Sequence, residues 1–113
     1  MTQGTEAVTT FAEHLKKMPG ISHLAAINLL DAEGNVLVAI ENKPGSQGSL
    51  AVYNHLAQTF GAITPDAARK GLDLFAEHAE DARAHPGKHP NIDRLLELIE
   101  QKKTLRIKHV FAV

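Results

Sequence analysis

Apolar residues recur along this chain with two periods, and each period predicts a different element. Val8, Phe11, Ala12 and Leu15 fall at three- and four-residue spacing, which places them on one face of a helix over Glu6–Lys17. Met18-Pro19-Gly20 stops that helix, because proline lacks an N–H and glycine tolerates left-handed backbone. His23–Asp31 reads as a strand. Leu24, Ala26 and Leu30 share one face, with Asn28 as the exception, and Ala25, Ile27 and Leu29 share the other. Apolar residues on both faces predict a central strand covered on both sides. Asp31-Ala32-Glu33-Gly34-Asn35 is a turn, and Val36–Asn42 is the returning strand.

The period then lengthens. Lys43–Ser49 is a loop rich in glycine, proline and serine, followed by a helix over Leu50–Phe60 with Gly61 as its stop. Thr64-Pro65-Asp66 is a helix start: threonine caps, proline fits the first helical position and aspartate suits the dipole. The stripe Ala68, Leu72, Phe75, Ala79 and Ala82 carries that helix to about Ala84, weakened at Gly71 by ~1 kcal/mol relative to alanine. His85–Asn91 is a second loop. Ile92, Leu95, Leu96 and Ile99 mark the next helix, and Leu105, Ile107 and Phe111 alternate with Arg106 and Lys108 in a last strand, Thr104–Ala112.

The order α-β-β-α-α-α-β predicts an α+β fold, with a small antiparallel three-stranded sheet packed with four helices. The first strand belongs in the middle. The 113 residues show no repeat or linker, so residues 1–113 read as a single globular domain. Hydrophobic residues at 43% and charged residues at 22% are those of an ordinary globular protein. The absence of cysteine removes disulfides, thiolate metal sites and thiol catalysis from consideration. Met1–Glu6 lacks a basic region followed by an apolar stretch, and no apolar run is long enough to span a bilayer. The expectation is a cytoplasmic protein with no membrane partner.

A net charge of −1 gives no global field for nucleic acid. Lys102, Lys103, Arg106, Lys108 and His109 make the C-terminus locally basic, but no stacking aromatics are interleaved and Phe111 reads as core. Charges there read instead as guards against edge-to-edge pairing.

Candidate chemistry gathers in the two loops. The first offers Lys43, Gly45, Ser46, Gly48 and Ser49 at a strand-to-helix junction, where backbone amides and the helix dipole favour an anion. It lacks the ending of a nucleotide-binding P-loop, and the plainer reading is a flexible connector in which Ser46 or Ser49 only caps the helix. The second offers Gly87, Lys88, His89 and Asn91, stiffened by Pro86 and Pro90, before another helix start. If the fold joins them, they make one anion pocket; otherwise His85–Asn91 is a rigid connector. A metal reading would use His78, Asp81, His85 and His89, whose helical spacing puts donors near one face, without any signature that fixes a geometry. Side chains on such a face are ordinarily solvated. His14, His23 and His55 stand alone and read as structural, and His109 as a partly buried, hydrogen-bonded side chain. No cofactor is implied.

Glu41–Gly45, Ser49–Asn54 and above all His85-Pro86-Gly87-Lys88-His89-Pro90-Asn91-Ile92-Asp93 resemble a family of short bacterial proteins of unknown function, domain-of-unknown-function family 2322. That resemblance covers nearly the whole chain and implies no activity. The first half, from helix through Met18-Pro19-Gly20-Ile21 to the Asp31–Asn35 turn, also looks like the opening of roadblock and profilin-like interaction modules; the second half departs from them. The expected role is a non-enzymatic binding protein for an anionic, phosphate-bearing small molecule. The alternatives are a dimeric interaction module, working through its sheet edges or an apolar sheet face, and a metal-dependent enzyme.

Overall fold

A capping box opens the first described helix. The Thr10 hydroxyl accepts from the Glu13 amide at 3.2 Å, and the Glu13 carboxylate accepts from the Thr10 amide at 3.1 Å. Helix α1 then runs Phe11–Lys16. The structure is a computed structural model that describes residues 10–113, so the part of this helix expected over Glu6–Thr9 lies outside the described residues. The elements that follow are β1 (Leu24–Leu30), β2 (Val36–Glu41), α2 (Gln47–Phe60), α3 (Pro65–Phe75), α4 (Glu77–Ala84), α5 (Pro90–Gln101) and β3 (Arg106–Phe111).

The sheet is antiparallel with order β2-β1-β3, so the first strand is central as its composition predicts. Ile27 pairs with Ile40 and His109, and Leu29 pairs with Val38 and Ile107. Alternation turns this set toward the helices, where Ile27, Leu29 and Ile40 are buried against Leu50, Tyr53 and Leu56. A bulge at Ala25 lets Leu24 join the same core, and a second bulge lies between Leu29 and Leu30.

The other face is open. Glu41, Ala26 and Val110 form one cross-strand row on it, and Val36, Leu30 and Arg106 form another. The expectation that both faces are covered is therefore corrected. Among the described residues the core helices lie on one side only, which leaves Val36 at 55% and Leu37 at 57% exposure. Phe111 is corrected in the same way. It sits at the end of an edge strand, 64% exposed and stacked on His23 and His109, rather than in the core.

Thr64 caps α3 by accepting from the Ala67 amide at 3.0 Å, and Pro65 takes the first turn, as expected. The helix expected to reach Ala84 instead breaks at Ala76 (φ 53°, ψ −119°), so five helices accompany the sheet among the described residues. The apolar stripe runs through the break: Leu72, Phe75, Ala79 and Ala82 are all buried. Gly71 also has a role that helix propensity misses. A Cβ there would stand 2.8 Å from Leu95 Cδ1 and 2.9 Å from Leu56 Cδ1, so the missing side chain lets α3 lie close to both α2 and α5.

Candidate functional site

The connection from β2 to α2 is fixed by side chains that bond to backbone. The Asn42 amide donates to the carbonyls of Ile21 and Leu24 at 3.0 and 2.8 Å, and Gln47 donates to Asn42 Oδ1 at 3.0 Å. The Ser46 hydroxyl donates to the Glu41 carbonyl at 2.6 Å. Committed there, it does not cap α2, although Ser46 occupies the cap position. Helix α2 therefore begins at Gln47, inside the segment expected to be loop, with no side chain accepting from its first amides.

The connection from α4 to α5 is equally constrained. Gly87, at φ 94°, donates its N–H to the Asp93 carboxylate at 2.9 Å. Arg94 donates to Asn91 Oδ1 at 2.8 Å and to the Tyr53 hydroxyl at 3.2 Å. Tyr53, buried between the helices, donates to the Asn91 carbonyl, and its burial pushes the hydroxyl up to about 12. Tyr53 therefore pins the start of α5 from below. His89 occupies the cap position of α5 and makes no cap hydrogen bond.

These two helix starts meet at one cavity of about 470 Å³. Gly45, Gln47, Gly48 and Ser49 line it from the first connection, and Lys88, His89, Pro90 and Asn91 from the second. Phe11 and Leu15 of α1, Phe75, His78 and Ile92 complete the wall. Four rings stand in series along it. Phe75 stacks on Phe11 at 5.4 Å, Phe11 meets the His78 ring edge-on at 5.1 Å, and His78 lies 5.9 Å from His89. The wall thus grades from apolar to titratable. Gly48 lets the Phe11 ring approach this closely, since a Cβ there would lie 2.9 Å from Phe11 Cζ and the ring would have to shift.

Asp81 organises the polar end. Its Oδ2 accepts from His89 Nε2 at 2.6 Å and from Lys88 Nζ at 2.9 Å, while His85 Nε2 lies 3.8 Å from Oδ1. The His89 hydrogen bond, and then the Lys88 ammonium, hold the Asp81 carboxyl down to about 2. Because Nε2 of His89 donates to a carboxylate, Nδ1 of a neutral ring is left as an acceptor. On the opposite side, the Phe11 amide donates to Glu77 Oε1 at 2.9 Å, which ties α1 to α4 and lowers that carboxyl.

Of the residues named from sequence, Gly45, Gly48, Ser49, Lys88, His89 and Asn91 line the cavity. Lys43, Ser46 and Gly87 do not. Lys43 pairs with Glu41 at 2.9 Å, Ser46 serves the loop backbone, and Gly87 serves Asp93. The metal candidates separate as well. His85 and His89 both approach Asp81, and His78 lies in the aromatic series, but no three histidine or acidic side chains converge on one point among the described residues. His14 donates from Nδ1 to the Leu74 carbonyl at 2.8 Å, and His109 contacts Asn54 Oδ1 at 3.0 Å. Both follow the structural reading. The cavity residues that sequence reasoning missed are Phe11, Leu15, Gln47, Phe75, Pro90 and Ile92. Phe11, Leu15, Phe75 and Ile92 carry an ordinary core pattern, so nothing in the sequence sets them apart as a wall.

The sequence model of a family described as an uncharacterized protein conserved in bacteria, domain-of-unknown-function family 2322, matches residues 11–109. No curated protein and no solved structure matches the chain.

Proposed function

We propose, for a chain that belongs to this family of uncharacterized proteins conserved in bacteria, that it is a cytoplasmic binding protein for a small phosphate-bearing molecule with a flat apolar body. The observation that carries this reading is the convergence of two helix starts, both without side-chain caps, on one cavity that also holds Lys88 and His89. The uncapped first amides of α2 attract an anion through N–H donors and the dipole together, while α5, which opens on Pro90 and whose Ile92 and Asp93 amides bond to the His89 carbonyl, adds its dipole and the Asn91 amide. Lys88 adds a charge, and the Ser49 hydroxyl adds a further donor. The anionic group belongs between these groups. The Phe11–Phe75 pair and Ile92 suit a ring or other apolar body at the far end. Asp81 positions rather than binds, since it holds both Lys88 and His89 in place.

The test compares thermal unfolding, followed by circular dichroism, in phosphate, phenyl phosphate and chloride at equal ionic strength. Phosphate should raise the midpoint above that in chloride, and phenyl phosphate should raise it further, because binding to the folded state alone stabilises it. Equal midpoints in all three salts would overturn the reading.

A further inference from the structure

We propose that the open face of the sheet is a self-complementary surface for a second copy of this chain, packed face to face with the strands of the two copies crossing near right angles. The argument begins with the four corners of that face. Glu41 and Arg106 occupy opposite corners, and Val36 and Val110 occupy the other two. Between them, the half-buried Leu30 of the central strand supplies apolar surface, while Ala26 is already buried by its neighbours.

A two-fold axis lying in such a face has four simple orientations. Parallel or perpendicular to the strands, it sets Glu41 and Arg106 over valines. Along the Glu41–Arg106 diagonal, it sets like charges over each other. Ala39, Asn28 and Lys108 form the middle row of the face, so the Val36–Val110 diagonal sets Glu41 of each copy over Arg106 of the other, Val36 over Val36, Val110 over Val110, Leu30 over Ala39, Lys108 over Ala26 and Asn28 over Asn28. It is the only one of the four that sets opposite charges over each other, and it gives the orthogonal class of sheet packing.

The charges are available for the exchange. Arg106 and Lys108 have no acidic partner within 4.0 Å among the described residues, and Glu41 is held only by Lys43 in an exposed pair that contributes little. Three strands ~4.8 Å apart and six residues long at ~3.3 Å each make a face of roughly 14 by 20 Å, about 280 Å² per copy and smaller than a stable interface. The association is therefore a weak and transient one, populated only at high protein concentration.

Sedimentation equilibrium of the full chain at concentrations on the order of 100 µM tests this. The dimer should be populated and should weaken as salt rises. Glu41→Arg and Arg106→Glu should each weaken it about 10-fold, and the two changes together should restore it. A monomer at that concentration would overturn the proposal. So would a dimer indifferent to both reversals, or one that the double variant fails to restore.

Discussion

The carboxylate of Asp81, near the end of α4, accepts a hydrogen bond at 2.6 Å from the ring of His89, the residue before α5. Together with Lys88 on the same oxygen, this bond holds the carboxyl at about 2, below its ordinary value of 3.8. The folded state therefore binds its proton less readily than the unfolded chain does. Its contribution to stability is fully present above the unfolded value and is lost as pH falls toward the folded one. Asp81→Asn lacks this contribution at every pH. The difference in urea midpoint between the parent and Asp81→Asn should be constant above about pH 5 and should shrink as pH falls toward 2. A difference that is unchanged from pH 5 to pH 2.5 would show that the pair does not act on folding.

Two lysines from the two loops separate the anion site from a general surface effect. Lys88 lines the cavity, whereas Lys43 lies outside it, paired with Glu41. Lys88→Ala should weaken phosphate binding about 10-fold, the effect of ~1.4 kcal/mol, while Lys43→Ala should leave it unchanged. Neither substitution should move stability without phosphate by more than ~0.5 kcal/mol, since both side chains are exposed. Titration calorimetry with phosphate checks this. Equal losses in the two variants would point to non-specific charge.

The sequence made the sheet order readable because β1 carries apolar residues on both faces, the mark of a central strand, although Val36–Ile40 of β2 is apolar on both faces as well. It misled about what covers the strand. Ala26 and Leu30 gain their burial from the flanking strands, without a second helical layer. The two loops announced themselves through glycine and proline, and a resemblance carried most specifically by His85–Asp93 lies within the matched family region. Their meeting across the molecule depends on how α2 and α5 pack, which no local pattern encodes. Lys43 looked equivalent to Lys88 because sequence shows residue type and not direction; each pairs with a carboxylate, but Lys88 lines the cavity and Lys43 lies outside it.

The break between α3 and α4 had no local signal, and it stores strain. Ala76 adopts φ 53° and ψ −119°, a region that suits glycine. Such backbone costs a non-glycine residue ~1–3 kcal/mol, and glycine in exchange loses ~0.5–1 kcal/mol of unfolded-chain entropy. Ala76→Gly should therefore stabilise the protein by about 1 kcal/mol, read as a higher urea midpoint with an unchanged slope. Destabilisation of that size would mean that the backbone there is unstrained.

Gly71 tests the opposite case, where propensity and packing conflict. In an isolated helix, alanine at this position would be favoured by ~1 kcal/mol. In the folded protein its Cβ would lie 2.8 Å from Leu95 and 2.9 Å from Leu56, both of them buried side chains from neighbouring helices. Neither contact is with the end of a mobile surface chain, so α3 and α5 must separate or two core leucines must leave their rotamers. Overpacking of this kind costs ~1–3 kcal/mol, which outweighs the helical gain. Gly71→Ala should therefore lower stability by about 1 kcal/mol net. Because α5 carries Asn91 and Ile92 into the cavity, the same change should also reduce the stabilisation by phenyl phosphate more than that by phosphate. Parallel denaturation series of the parent and the variant, with and without each anion, measure both effects. A variant as stable as the parent would show that the three helices have slack at this crossing, and that glycine is dispensable there.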